Sequence, residues 1–140
     1  MEKNIDIAAL GELLIDFTEA GTGADGMRLF EQNPGGAPAN LLTVASHMGY
    51  RTEFIGKVGK DMHGAFLKKT LEKENIGVSN LIEDDNYFTT LAFVAIDESG
   101  EREFSFARKP GADTQLRKEE LDERLALLER ACATQSDEAV

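Results

Sequence analysis

NPGGAPAN, residues 33–40, followed at once by LLTVASHMG, residues 41–49, is the stretch whose reading decides the fold. Two prolines and two glycines within residues 33–38 dictate a turn. Paired glycines admit positive φ and let a ligand approach the main chain closely. Beyond the turn, Leu41, Leu42, Val44, Ala45 and Met48 recur at helical spacing. The helix therefore begins near Pro38, whose missing N–H has no partner in a first helical turn anyway, and Gly49 is placed to end it. Such a helix points its free N–H groups and positive dipole end at the glycine turn. Asn40 falls in that first turn, where its amide can donate and accept toward a polyol. An ordinary tight turn with its cap accounts for the same residues equally well, so the segment alone leaves both readings open.

Upstream, residues 5–10 form a short apolar run ending at Gly11, a buried strand by its composition. Residues 13–17 continue extended, with Asp16 set among Leu13, Leu14, Ile15 and Phe17. A lone carboxylate in an apolar strand is costly unless it is paired or stands at the strand's mouth. It is either a solvent-side residue at the strand end or an acceptor for two sugar hydroxyls, an arrangement that charge-assisted hydrogen bonding favours. Residues 18–25 are small and polar, a loop or hairpin connection. GTGADG at 21–26 fits the pattern G-x-G-x-x-G, but a dinucleotide site needs that run to open a helix. Residues 33–36 cannot continue one, so 21–26 reads as a flexible loop. No G-x-x-x-x-G-K-[ST] run occurs, which excludes a P-loop.

Downstream, residues 52–58 are a second strand and 61–75 a second helix, with Phe66, Leu67 and Leu71 inward, closed by Ile76-Gly77. Residues 87–96 and 101–107 are β-rich and flank Asp97-Glu98-Ser99-Gly100, the signature of a hairpin. A third helix spans 117–131 with Leu121, Leu125 and Leu128 on one stripe, and 134–140 reads as a frayed tail. Strands alternating with helices predict an α/β domain with some parallel sheet, to which the 87–107 hairpin is an addition.

Composition narrows the function classes. The 140 residues carry a net charge of −11, which repels nucleic-acid phosphate and anionic lipid. No run approaches the roughly 20 apolar residues of a membrane helix, and residues 1–6 do not read as a secretory signal. The single cysteine, Cys132, allows neither an intrachain disulfide nor a cysteine-based zinc cluster. A soluble, cytoplasmic protein is expected, with neither nucleic acid nor membrane as partner. His47 and His63 sit in helices and read as surface or packing residues rather than metal ligands. Arg108-Lys109 is either an exposed basic pair or an anion contact near a site. Glu119, Glu120, Asp122 and Glu123 near the start of the last helix read as dipole compensation on a solvated face.

Taken in order, these blocks resemble the ribokinase-like (PfkB) carbohydrate kinases. They are GELLIDF from Gly11, NPGGAPAN at 33–40, FIGKVGKDMHG from Phe54, TTLAFVAIDESGERE from Thr89 and FARKPGAD ending at Asp113. Gly35, Gly36, Asn40, Gly49 and Gly59 fit the family's N-terminal signature, and the start, the NPGGAPAN block and Arg108 are most similar to fructokinases. The resemblance implies a Rossmann-like, three-layer α/β ribokinase fold with a small β-strand lid. Residues 1–130 would form a partial kinase domain, with lid strands at about 12–34 and 87–107, and 131–140 an unmatched tail. It implies a sugar site in which Asp16 holds ring hydroxyls, Gly35 and Gly36 present main-chain N–H groups, Asn40 bonds another hydroxyl, and Arg108 stands near the phosphate-transfer zone. Fructose is the implied sugar, and Mg-ATP the implied donor of the γ-phosphate. The family's Gly-Ala-Gly-Asp motif, which supplies the anion hole and catalytic base, does not occur here. The chain is accordingly expected to stop before the ATP site, to contain no catalytic residue and no metal site, and to be inactive by itself. Pairing of lids between subunits makes a homodimer the implied assembly. The alternative is a non-catalytic fragment that binds sugar or associates through its lid.

Overall fold

The computed structural model describes residues 5–133. Strand β1 (Ile7–Leu10) runs parallel to β4 (Thr52–Gly59), with Ile7 opposite Thr52 and Leu10 opposite Ile55. β4 also pairs in parallel with β5 (Ile76–Gly77) and β6 (Leu81–Asp84). Every residue of β4 is buried, as expected of a strand covered on both faces of a parallel sheet. Its two charged residues are therefore partnered. Glu53 accepts from the Asn80 backbone N–H and side-chain amide, both at 2.9 Å. Lys57, only 2% exposed, gives its ammonium to Asp84 at 3.0 Å, Glu120 at 2.9 Å and the Gln115 carbonyl at 3.0 Å.

Helix α1 (Ala37–His47) turns Ala39, Leu42 and Ala45 inward, and α2 (Met62–Lys73) turns Gly64, Leu67 and Leu71 inward. Ala39, Leu42, Leu67 and Leu71 join Leu13, Ile15, Phe54, Val58, Ile76 and Leu81 in the hydrophobic core. Asp61 caps α2, accepting from the backbone N–H groups of His63 at 3.0 Å and Gly64 at 2.8 Å. It also accepts from the Thr89 N–H and hydroxyl, both at 2.8 Å, tying the helix to the segment that enters the second sheet. Burial pushes the Asp61 carboxyl up, but these hydrogen bonds outweigh it and leave its pKa below the ordinary value.

The second sheet has the order β3-β2-β7-β8, made of β2 (Leu14–Thr22), β3 (Arg28–Gly35), β7 (Leu91–Ile96) and β8 (Arg102–Ala107). Its two hairpins are antiparallel and are joined through a parallel pairing of β2 with β7. Phe17 stacks on Phe93 with ring centres 5.2 Å apart, and His63 meets Phe17 edge-on at 5.9 Å, a packing role for that histidine. Exposed His47 bonds Glu74 at 2.6 Å. A short 3₁₀ helix, Ala112–Gln115, leads into α3 (Lys118–Ala133).

Several expectations are corrected. Residues 33–35 are not turn but the end of β3, where Asn33 lies opposite Asp16 and Pro34 opposite Ile15. β3 is an edge strand, so Pro34 needs no ladder donor. Residues 18–22 extend β2, and the Gly23 N–H donates to the Met27 carbonyl at 2.7 Å to close a hairpin, so the 21–26 glycine run is followed by a strand. Ile76-Gly77 is a strand rather than a helix stop, and β6 was not foreseen. The 87–107 hairpin lies outside the parallel sheet and, through the pairing of β7 with β2, makes half of the second four-stranded sheet. Glu120, assigned to a solvated face, pairs with buried Lys57; burial pushes its pKa up, but bonds from the Arg117 N–H and Lys57 outweigh this and hold it at about 2. The side chain of Leu128, Cys132 and the tail 134–140 lie outside what is described.

Candidate functional site

The site forms where the connection between β1 and β2 passes over the N-terminus of α1. Asp16, on β2, faces the β3 residue pair Asn33 and Gly35. A side chain at Gly35 would strike the Asp16 carboxylate and Leu14, so glycine there makes room for the acid. Gly36 occupies the N-cap of α1 at φ +122°, a conformation that L side chains rarely adopt, and the Glu12 carbonyl fills the space a Cβ would need. No side chain caps α1, which leaves first-turn N–H groups free at this spot. Asn40 is exposed within that turn, its own N–H donating to the Gly36 carbonyl at 3.1 Å.

Asp16 is partly buried. Burial first, and the neighbouring Glu12 carboxylate second, push its pKa up from the ordinary value. In front of it lies a cleft of about 270 Å³ lined by Asp16, Thr18, Val94, Ile96, Arg102 and Phe104. The alternation of β-strand side chains puts all six on one face of the second sheet. A carboxylate and an arginine among apolar walls make a pocket suited to a small polar molecule with an apolar face.

Arg108 follows β8. Its guanidinium Nη2 donates to Glu12 at 3.1 Å and to Asp113 in the 3₁₀ helix. The Asp113 carboxylate, whose side chain is 1% exposed, also accepts from the Thr90 hydroxyl. Glu12 thus neighbours both Asp16 and Arg108. On the α2 side, Arg108 borders a larger cleft of about 670 Å³ whose walls include Met62, His63, Phe88 and Leu91. Among the described residues, no group of three histidine, cysteine or carboxylate side chains is arranged to hold a metal ion.

Asp16 and Gly35, selected from the sequence, come into contact, with Gly36 next along the chain against the Glu12 carbonyl; Asn40 stands in the first turn of α1, and Arg108 joins the cluster through Glu12. Sequence reasoning missed Glu12, Thr90 and Asp113 as members. The Glu12–Arg108 pair spans 96 positions, a separation that no local pattern reveals.

A glycine pair under a helix N-terminus and an acid on the adjoining strand form a candidate small-molecule site on this α/β fold. Residues 4–137 match the pfkB family of carbohydrate kinases, and the chain belongs to that family. It is 42% identical over 118 residues to probable fructokinase-2 of Arabidopsis thaliana, covering 83% of this chain and 36% of that protein. Among solved structures, a fructokinase from Xylella fastidiosa superposes with a TM-score of 0.77 at 39% identity, over 81% of this chain and 35% of that one. The same enzyme with bound ATP gives 0.75 at 38% identity, covering 81% of this chain and 34% of that one. The chain therefore spans about a third of the length of the relatives it matches.

Proposed function

We propose that this chain carries the sugar-binding portion of a fructokinase-type kinase, which transfers the γ-phosphate of ATP to a sugar hydroxyl. The observation that carries this reading is the contact of the Asp16 carboxylate with Gly35 beside the uncapped N-terminus of α1. In it, Asp16 accepts hydrogen bonds from two hydroxyls, Gly35 and Gly36 present the main chain, Asn40 bonds a further hydroxyl and Arg108 borders the site. The similarity to fructokinases makes fructose the sugar to try first. Mg-ATP is the proposed donor. The carboxylates of Glu12, Asp16 and Asp113 do not fit a triphosphate, so no nucleotide contact is assigned to these residues. The proposed domain covers residues 1–130, and the proposed location is the cytoplasm.

The sequence holds no Gly-Ala-Gly-Asp motif, so sugar binding without turnover is expected of these 140 residues. Calorimetry with D-fructose on the wild type and Asp16→Ala, beside a coupled assay with Mg-ATP, tests this. Binding lost in the variant and no turnover above a blank support it. Turnover abolished by Asp16→Ala refutes the expected inactivity, and unchanged affinity in the variant refutes the site.

A second reading, association through the lid sheet, rests on β8, whose six residues are all exposed and whose outer edge has no strand partner among the described residues. A lid-mediated homodimer would cover it. Light scattering at physiological salt decides: a dimer that Phe104→Asp dissociates supports the reading, and a monomer throughout removes it.

A further inference from the structure

The chain passes four times between the body formed by the parallel sheet and its helices and the second sheet: at 11–13, at 35–36, at 85–90 and at 108–111. One small cluster of side chains gathers these crossings. Glu12 stands in the first, Thr90 ends the third and Arg108 opens the fourth, with Asp113 just beyond it in the 3₁₀ helix. The Arg108 Nη2 carries two hydrogens and reaches two carboxylates, Glu12 at 3.1 Å and Asp113. The Asp113 carboxylate, whose side chain is 1% exposed, accepts from the Thr90 hydroxyl on its other oxygen. The second crossing packs against the same group, because the Glu12 carbonyl fills the space a Cβ on Gly36 would need. The body holds the far end: Lys57 on β4 donates to the Gln115 carbonyl at 3.0 Å, and the Ala112 N–H donates to the Phe88 carbonyl at 2.8 Å.

A buried ion pair adds little stability over apolar packing of the same volume, yet it fixes geometry, since a buried carboxylate left without its cation is strongly disfavoured. The fit is close. A Cβ at Gly111, where the backbone is ordinary at φ −90°, would strike the Thr90 hydroxyl and crowd Asp113 and the Arg108 stem. Nη2 alone makes both carboxylate contacts, and the Arg108 Nε is buried without a partner. We propose that Glu12, Thr90, Arg108 and Asp113 form a clasp that sets the orientation of the second sheet on the body, and with it the position of Asp16 over the N-terminus of α1. All four are positioning residues. The inference rests on the sugar-site reading only for what the placed Asp16 binds.

The test measures the distance between spin labels at Glu103→Cys on β8 and Lys69→Cys on α2, both exposed, in the 140-residue chain carrying Cys132→Ser. Double electron–electron resonance is expected to give one narrow distance distribution. Thr90→Val, which removes the hydroxyl at constant shape, should broaden it. Gly111→Ala, which displaces that hydroxyl without altering a charge, should do the same. Glu12→Ala should act in the same direction, and with its side chain 42% exposed it carries the test where the buried variants do not fold. Thr90→Ser keeps the hydroxyl and should keep the narrow distribution. Ile76→Val lowers stability from within the core of the body and should leave the distance unchanged. A folded Thr90→Val or Gly111→Ala with the wild-type distribution overturns the proposal; where neither folds, a wild-type distribution in Glu12→Ala does. Equal broadening in Ile76→Val also overturns it, by reducing the cluster to a general contribution to stability. Fructose calorimetry on the same variants separates the two ideas. With Asp16 binding the sugar, a clasp variant whose competent arrangement falls to about a tenth loses about tenfold in affinity. Fructose binding unchanged by Asp16→Ala defeats the sugar site, while the label distances still decide the clasp.

Discussion

The two sheets of this molecule obey opposite rules. The parallel sheet is organised on β4, buried along its whole length and flanked by α1 and α2, and its charged residues survive only by being fully partnered. The second sheet is built of hairpins, with β8 exposed throughout and Phe104 and Phe106 in the open. The first sheet holds the fold together; the second offers a surface. The candidate site lies where they meet, with Asp16 on a strand of the second sheet and Gly36 and Asn40 at the start of α1. A ligand there would touch both parts.

This contrast can be broken by experiment. The largest effect is expected in the body: Phe54→Ala, at a fully buried position of β4, should destabilise by about 3–5 kcal/mol in urea unfolding. Lys57→Ala comes next, at about 3 kcal/mol, because it leaves Asp84 and Glu120 facing each other without their cation. A loss well below 1 kcal/mol would show that water enters and screens the pair. Asp16→Asn should keep the melt cooperative yet weaken fructose binding by about 1.5–3 kcal/mol, measured by calorimetry.

Acid sharpens the same comparison. Glu120 has its pKa lowered from 4.5 to about 2 in the folded chain, so the unfolded chain binds the proton more readily. Its contribution is fully present above about pH 4.5 and lost as the pH falls toward 2. Thermal melts across that window should fall less steeply for Glu120→Gln than for the wild type, and an equal slope would place Glu120 in solvent. The smallest effect belongs to the second sheet: Phe104→Ala should change stability by less than about 0.5 kcal/mol, since the residue is 55% exposed. A larger loss would show that the second sheet is covered in solution, as a lid-paired dimer requires.

How far all this is legible in the sequence differs from residue to residue. The helices could be read because each shows a 3.6-residue apolar period over three turns, and β4 because Phe54, Ile55 and Val58 cluster within a few residues, although Glu53 and Lys57 interrupt them. The Gly35-Gly36 pair was legible as the start of a helix, while its local residues fitted a binding site and an ordinary turn with its cap equally well. β3 was misjudged at its end, since Pro34 and Gly35 break strands on local propensity and are admitted only because the strand lies at an edge and Gly35 must clear Asp16. β5 and β6 are too short for any period to register.

By itself, the sequence determined the α/β alternation, the glycine-turn helix and the identity of Asp16 as a carboxylate out of place, because each is a property of a few neighbouring residues. The tertiary structure decided which charges meet. Glu12 joins Arg108 across 96 positions, Lys57 joins Glu120 across 63, and Thr90 shares Asp113 with Arg108. An ion pair depends on distance in space and on the burial around it, and neither is written in the order of residues along a chain.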